Sequence, residues 1–334
     1  MAKEMSSKND VANKVRGKKS SNATRRGKKQ SAKSSTVFSK DKLNELLAQA
    51  RDLQWAGQHA KAIEICTQAL DAIGKGNSRT AQIQMDLLDT RAESYWASID
   101  FSALKRDAKM MMQVANAVPS SSNRKKLALR AQALIWEARV QGFLDNKIAL
   151  VRKTLANAIK FAKQSKDKYL EAECLYFLRN FQTGEEGIRT SQQAADLFRS
   201  LDDQRGLAKA LTGLAWAQLS AGQIEAARKN AQVALSISEQ IGFNSAKSNA
   251  LNNLSVMESD IGQALTLLRQ SYQAAEASGN LVLVVGKTNN LGVRYSNLGL
   301  YARALRYYKK SLAIIPRDSR EYGYVPLSNN VFVA

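Results

Sequence analysis

The chain has 334 residues and a formal net charge of +21, with 44% apolar and 24% charged side chains, a globular composition. One histidine, His59, excludes any metal site or mechanism that needs two, and two cysteines, Cys66 and Cys174, exclude a disulfide scaffold and point to a reducing compartment. Only Pro119, Pro316 and Pro326 interrupt a backbone rich in Ala, Leu, Gln and Lys, so the expected fold is all-α.

Residues 1–40 carry nine Lys and three Arg against Glu4 and Asp10, a net +10, with eight serines and one aromatic, Phe38. Self-repulsion and the lack of apolar surface predict a disordered, solubilising extension. Its clusters Lys18-Lys19 and Arg25-Arg26-Gly27-Lys28-Lys29 also suit a phosphate backbone, so nucleic acid is a possible but not favoured partner there. No apolar h-region follows the charges, which argues against a secretory signal. Nor does any apolar run approach the roughly 18 to 20 residues of a membrane-spanning helix. The expected location is the cytoplasm.

From residue 41 the pattern becomes one of helix pairs. Near the C-terminus Leu291, Gly292 and Tyr295 share one face of a first helix, and Gly299 opens a tight turn. Tyr301, Ala304, Tyr308 and Leu312 then form the apolar stripe of a second helix, which Pro316 stops. Small Gly292 and Ala304 permit close approach of the two helices, and the tyrosines fill the space around them. The frame recurs upstream at Leu211, Leu214, Ala215, Gly222, Ala227, Ala231, Ala234 and Leu235, and in the first repeat at Trp55, Ala56, Gly57, Ala60, Cys66, Ala69 and Leu70. Between residues 78 and 200 it is weaker: Ala92, Tyr95 and Phe101, then Ala138 and Ala149, then Leu175 and Leu178 carry it.

These positions resemble the tetratricopeptide repeat, in the extended form found in bacterial signalling proteins. About seven repeats of roughly 36 to 42 residues, against the usual 34, are expected over residues 41–316. Residues 317–334 read as the first helix of a further repeat, so the chain reads as a fragment of a longer protein. The resemblance implies a right-handed superhelical solenoid whose first helices line a concave groove, each pair burying its apolar face on the next.

It also implies a peptide or protein partner in that groove, gripped by asparagines. The matching positions are Asn253 and Asn290, with Asn252, Asn289 and Arg294 beside them. An amide offers a donor and an acceptor, so it can hold an extended peptide backbone without reading its side chains; it can equally bond neighbouring helices. The expected function is a non-enzymatic interaction scaffold, or alternatively the regulatory arm of a larger signalling protein such as a nucleotide cyclase, kinase or transcriptional regulator.

Other candidates reduce to structure. His59 falls at a turn where a packing residue is expected. Cys66 and Cys174 lie on apolar stripes, and Trp55, Trp96, Trp136 and Trp216 on helical segments. Gly74-Lys75-Gly76-Asn77-Ser78 lacks the GxxxxGK[ST] pattern of a phosphate loop and reads as a helix end. Asp202-Asp203 and Glu185-Glu186 are placed in turns. No catalytic constellation, metal site or cofactor is expected.

Overall fold

The computed structural model describes residues 38–317 apart from Lys75. The expected basic tail and the expected further repeat lie outside the described residues, save residues 38–40 and Arg317. Fourteen α-helices follow in pairs among the described residues, with no strand. They are α1 (Lys40–Trp55) and α2 (His59–Ile73), α3 (Ala81–Ala97) and α4 (Phe101–Ala117), α5 (Asn123–Arg139) and α6 (Ile148–Ser165), and α7 (Lys168–Leu178) and α8 (Gly184–Ser200). There follow α9 (Gln204–Ser220) and α10 (Ile224–Gln240), α11 (Asn244–Met257) and α12 (Ile261–Ala277), and α13 (Leu281–Asn297) and α14 (Tyr301–Ile314).

Helix starts are set by side-chain caps. Asp100, Asp167, Asp203, Asp260 and Asn280 each accept a hydrogen bond from the backbone N–H three residues on, at 2.7–3.1 Å. Each bond satisfies a donor that the first helical turn leaves open. Ser39 does the same for α1, through Lys42 N, and Phe38 packs on the core of the first pairs. Both residues therefore belong to the folded part, although composition groups them with the tail.

Each pair closes on small side chains. Ala62, Ala69, Ala227, Ala231, Ala234 and Ala304 are fully buried in second helices, and a Cβ on Gly292 would run into the ring of Tyr308. Cys66 and Cys174 are fully buried free thiols, consistent with core packing. One ion pair is enclosed in this packing. Arg91 on α3 donates to both Asp107 carboxylate oxygens on α4 at 2.7 and 2.8 Å, and to Thr67 on α2 at 3.0 Å. The two-pronged geometry compensates for desolvation and ties the first two pairs together.

The middle repeats are irregular for a visible reason. A π-helical turn, Val140–Leu144, prolongs α5 and buries Gln141 and Leu144, so the start of α7 falls 45 residues after that of α5 (Asn123 to Lys168). Helix α7 is then only 11 residues long, and a 3₁₀ turn at Arg179–Phe181 completes it. Together these shift the repeat frame over residues 123–183.

The packing also closes on itself. The core of α1–α5 includes Val282 and Val285 of α13 and Ile315, so the last pair buries apolar surface against the first. A fully buried valine contributes about 1.5 to 3 kcal/mol, which makes this seam a substantial contact.

The frame of the last pair can be checked at Ala304, fully buried against α13. Ala304→Leu is expected to overpack the pair and cost about 1 to 3 kcal/mol in urea unfolding. Near-neutral behaviour would mean that the helices are not held at close approach.

Candidate functional site

Successive first helices touch one another along most of the array, and α3 also reaches α13. The first helices thus form an inner wall that curls until the last pair meets the first. At the meeting point two turns lie backbone to backbone. Gly57 and Gly279 have φ of +74° and +65°, and a Cβ on Gly57 would stand 2.8 Å from the Ser278 carbonyl oxygen. Only glycine fits both the left-handed conformation and the approach. His59 is buried beside this contact, its two ring nitrogens unpartnered, and burial lowers its pKa. At the mouth of the enclosed space Arg205 of α9 lies 4.3 Å from the Trp55 ring of α1 and 5.1 Å from that of Phe243, just before α11.

The lumen has two walls of opposite character. On α3 and α7 stand Asp86, Asp89, Glu93 and Glu173. Burial pushes Asp89 up to about 6; a 2.7 Å hydrogen bond from Trp136 Nε1 opposes this, and the negative charges of Glu93, Asp86 and Glu173 reinforce it. Burial would raise Glu93 as well, but the Arg139 guanidinium paired with it holds its carboxyl below the ordinary range. Arg139 is itself sandwiched by aromatic rings, 3.9 Å from the centre of Trp136 and 4.7 Å from that of Phe177, so its position is fixed by packing as much as by charge.

Lys209 on α9 lies beside Glu173 and Glu93, Arg205 stands on the same helix, and Lys287 and Arg294 lie on α13. Lys209 bridges the walls, donating to Glu173 at 2.6 Å, and that carboxylate outweighs the desolvation that would lower its pKa. Lys287 has no such carboxylate. It donates to Asn249 Oδ1 at 2.9 Å, and burial brings its pKa down to about 8.

The structure gathers four of the expected asparagines between α9 and α13. Asn253 Nδ2 donates to the Thr212 carbonyl at 2.8 Å, joining α11 to α9, and Asn290 Nδ2 donates to Asn252 Oδ1 at 2.7 Å, joining α13 to α11. Both donors are thus taken up in fastening neighbouring repeats. Asn252, Asn253 and Asn289 are buried, whereas Asn290 is half-exposed. Arg294 lies in the last turn of α13, its Nε enclosed and unpartnered.

Some expectations need correction. Trp55 and Trp216 are 50% and 48% exposed rather than packed, while Trp136 is fully buried as a packing residue should be. Glu185 and Glu186 occupy the first turn of α8, not a loop, and Asp203 is the N-cap of α9. The charged residues Asp89, Glu93, Arg139, Glu173, Lys209 and Lys287 were not singled out by sequence reasoning. A signal existed for the acids: Asp86, Asp89 and Glu93 fall at i, i+3 and i+7, one face of a helix whose other faces are almost wholly buried.

This geometry defines a class of protein, a helical repeat scaffold whose first helices enclose a polar lumen. Residues 287–315 match the family model described as tetratricopeptide repeat. The fold is that of a tetratricopeptide-like array of helix pairs. Among solved structures it is similar to a Rap protein complexed with competence and sporulation factor, at 14% identity and a TM-score of 0.60 over 88% of this chain and 86% of that one. It is also similar to NprR in complex with its cognate peptide NprX, at 13% identity and a TM-score of 0.56 over 87% and 81% of the two chains. At such identities the likeness is one of fold. A comparison with curated protein sequences returns no match. Among the described residues no group of His, Cys, Asp and Glu is arranged to hold a metal ion, and no helix is long and apolar enough to cross a membrane.

The raised pKa of Asp89 carries a sign that can be measured. Its folded value of about 6 lies above the unfolded value near 3.9, so its contribution is complete below about pH 4 and is lost as the pH rises through 6. Asp89→Asn keeps an acceptor for Trp136 and removes the buried charge. It is expected to raise the melting temperature at pH 8 and to give no gain at pH 4. The same difference at both pH values would show that the carboxylate is fully solvated.

Proposed function

We propose that the lumen binds an extended peptide and that the chain acts as a peptide-binding scaffold. The observation that carries this reading is the uneven charge of the lumen. The acids of α3 and α7 stand near Lys209 of α9, whereas Lys287 and Arg294 on α13 form no ion pair among the described residues, so the enclosed space carries acids in one part and uncompensated cations in another. An extended peptide has a positive amino end and a negative carboxyl end, and that polarity fits the lumen in a single direction. The carboxylate would lie toward Lys287 and Arg294 and the amino group toward the α3 acids. Asn253 and Asn290, whose donors are engaged, would stand beside the carboxyl half with amide oxygens suited to peptide N–H groups. The two solved relatives support the reading in fold, and the NprR structure holds a peptide.

The test uses a randomised pool of short peptides with free ends, retained on the immobilised full chain and read by mass spectrometry. A defined subset is expected to be retained. Arg294→Met, which keeps the side-chain length and removes the charge, should weaken retention at least fivefold, in keeping with the loss of one charged hydrogen bond of about 1.5 to 3 kcal/mol. Amidation of the peptide carboxyl should weaken retention by the wild type similarly. A pool with no sequence enriched over bare matrix, or enrichment indifferent to both changes, would overturn the assignment.

A further inference from the structure

Away from the lumen, a second cavity of about 350 Å³ opens between α12, the end of α13 and α14. Its lining is Arg269, Tyr295, Arg303, Arg306, Tyr307 and Lys310: four cations, two tyrosines and no carboxylate. The tyrosines stack with ring centres 5.3 Å apart and planes 11° from parallel. Arg269 Nη2 donates to the Tyr295 hydroxyl at 2.8 Å, and Arg303 lies 6.0 Å from the Tyr295 ring centre. Lys310 is shared with Tyr272 and Glu276 at the edge. Among the described residues neither Arg303 nor Arg306 forms an ion pair, and both are exposed.

Concentrating three guanidinium groups and an ammonium on so small a surface is electrostatically unfavourable for the scaffold alone. Elsewhere in the fold the enclosed Arg91 is met by the Asp107 carboxylate at 2.7 and 2.8 Å. Arg303 and Arg306 have no such partner. We infer that this cavity binds one nucleotide unit of a single-stranded nucleic acid. The guanidinium groups hold the phosphates in forked contacts, and Tyr307, half-buried over the buried Tyr295, provides the aromatic face for the base. An acidic peptide would meet the cations and leave the tyrosine platform unused, whereas a nucleotide engages both. The volume lies at the lower end of small-ligand sites, of the order one nucleotide requires. The remaining phosphates of the strand are drawn by the excess charge of the chain, +21 in all, of which +10 lies in residues 1–40.

The inference stands independently of the peptide reading. Its test is fluorescence anisotropy of a labelled oligothymidylate of about 12 nucleotides against the full chain over a range of salt concentrations. The double variant Arg303→Ala/Arg306→Ala is expected to weaken binding about tenfold or more and to lower the slope of log affinity against log salt by about 1.4. Tyr307→Leu should weaken binding at least fivefold with little change in that slope, since stacking is not a counterion effect. Lys160→Ala/Lys229→Ala, which removes two exposed cations elsewhere, sets the background and should change affinity less than about twofold. Melting temperatures of all variants identify any that fail to fold, and Arg303→Lys/Arg306→Lys, which retains charge, should restore the salt slope. The assignment is overturned if the cavity variants bind like the background variant. It is overturned equally if a polyglutamate of similar length displaces the oligonucleotide as effectively as unlabelled oligothymidylate does.

Discussion

The contact between the turn at Gly57 and the turn at Gly279 is the constraint on which the described structure depends. Two backbone segments more than 200 residues apart in sequence meet there, at a spacing that admits no side chain on either glycine. A stack of helix pairs normally needs only its neighbours. Here the last pair also needs the first, because Val282 and Val285 are buried in the core of α1–α5. That seam also brings α3 against α13, and across the array Trp55 of α1 lies beneath Arg205 of α9. The lumen exists as a polarised enclosure because the array returns to its own start.

Within that frame the polar groups divide by role. The Asn253–Thr212 and Asn290–Asn252 bonds are fasteners, each crossing from one repeat to the next with a buried amide. Removing such an amide would strand a buried partner, a larger loss than the net contribution of the bond itself. The Glu173–Lys209 and Glu93–Arg139 pairs also join different repeats, but they border the lumen. Their side chains range from 6% to 41% exposed, so a ligand can compete for them.

The helix pairs were legible because their signal is local. Gly292, Ala304 and Tyr308 sit close in sequence and pack on one another, so spacing alone places them. The middle was less legible because the π-helical turn at Val140–Leu144 inserts residues without breaking the apolar pattern, and its one glycine, Gly142, lies inside the helical run and not at a turn that would mark the shift. The seam was not legible at all. Val282 and Val285 look like ordinary stripe residues of α13, and nothing local shows that their partners lie in the first pairs. The lumen charges were missed for a related reason. Asp89 and Lys209 read as solvated surface when their own helices are considered singly, and their shifted pKa values arise only when the array curls around them.

The seam changes the mechanics of the molecule. An open array of repeats behaves as a spring, each joint flexing by a little and the ends free to travel. Joining the last coil to the first converts the spring into a hoop. A hoop resists widening until one junction parts, and then opens at that junction and nowhere else. The resistance resides in the buried Val282 and Val285 and in the close approach of Gly57 to Gly279. His59 lies beside that junction, where burial disfavours a proton on its ring more than the Ser278 backbone and the Glu93 charge favour one.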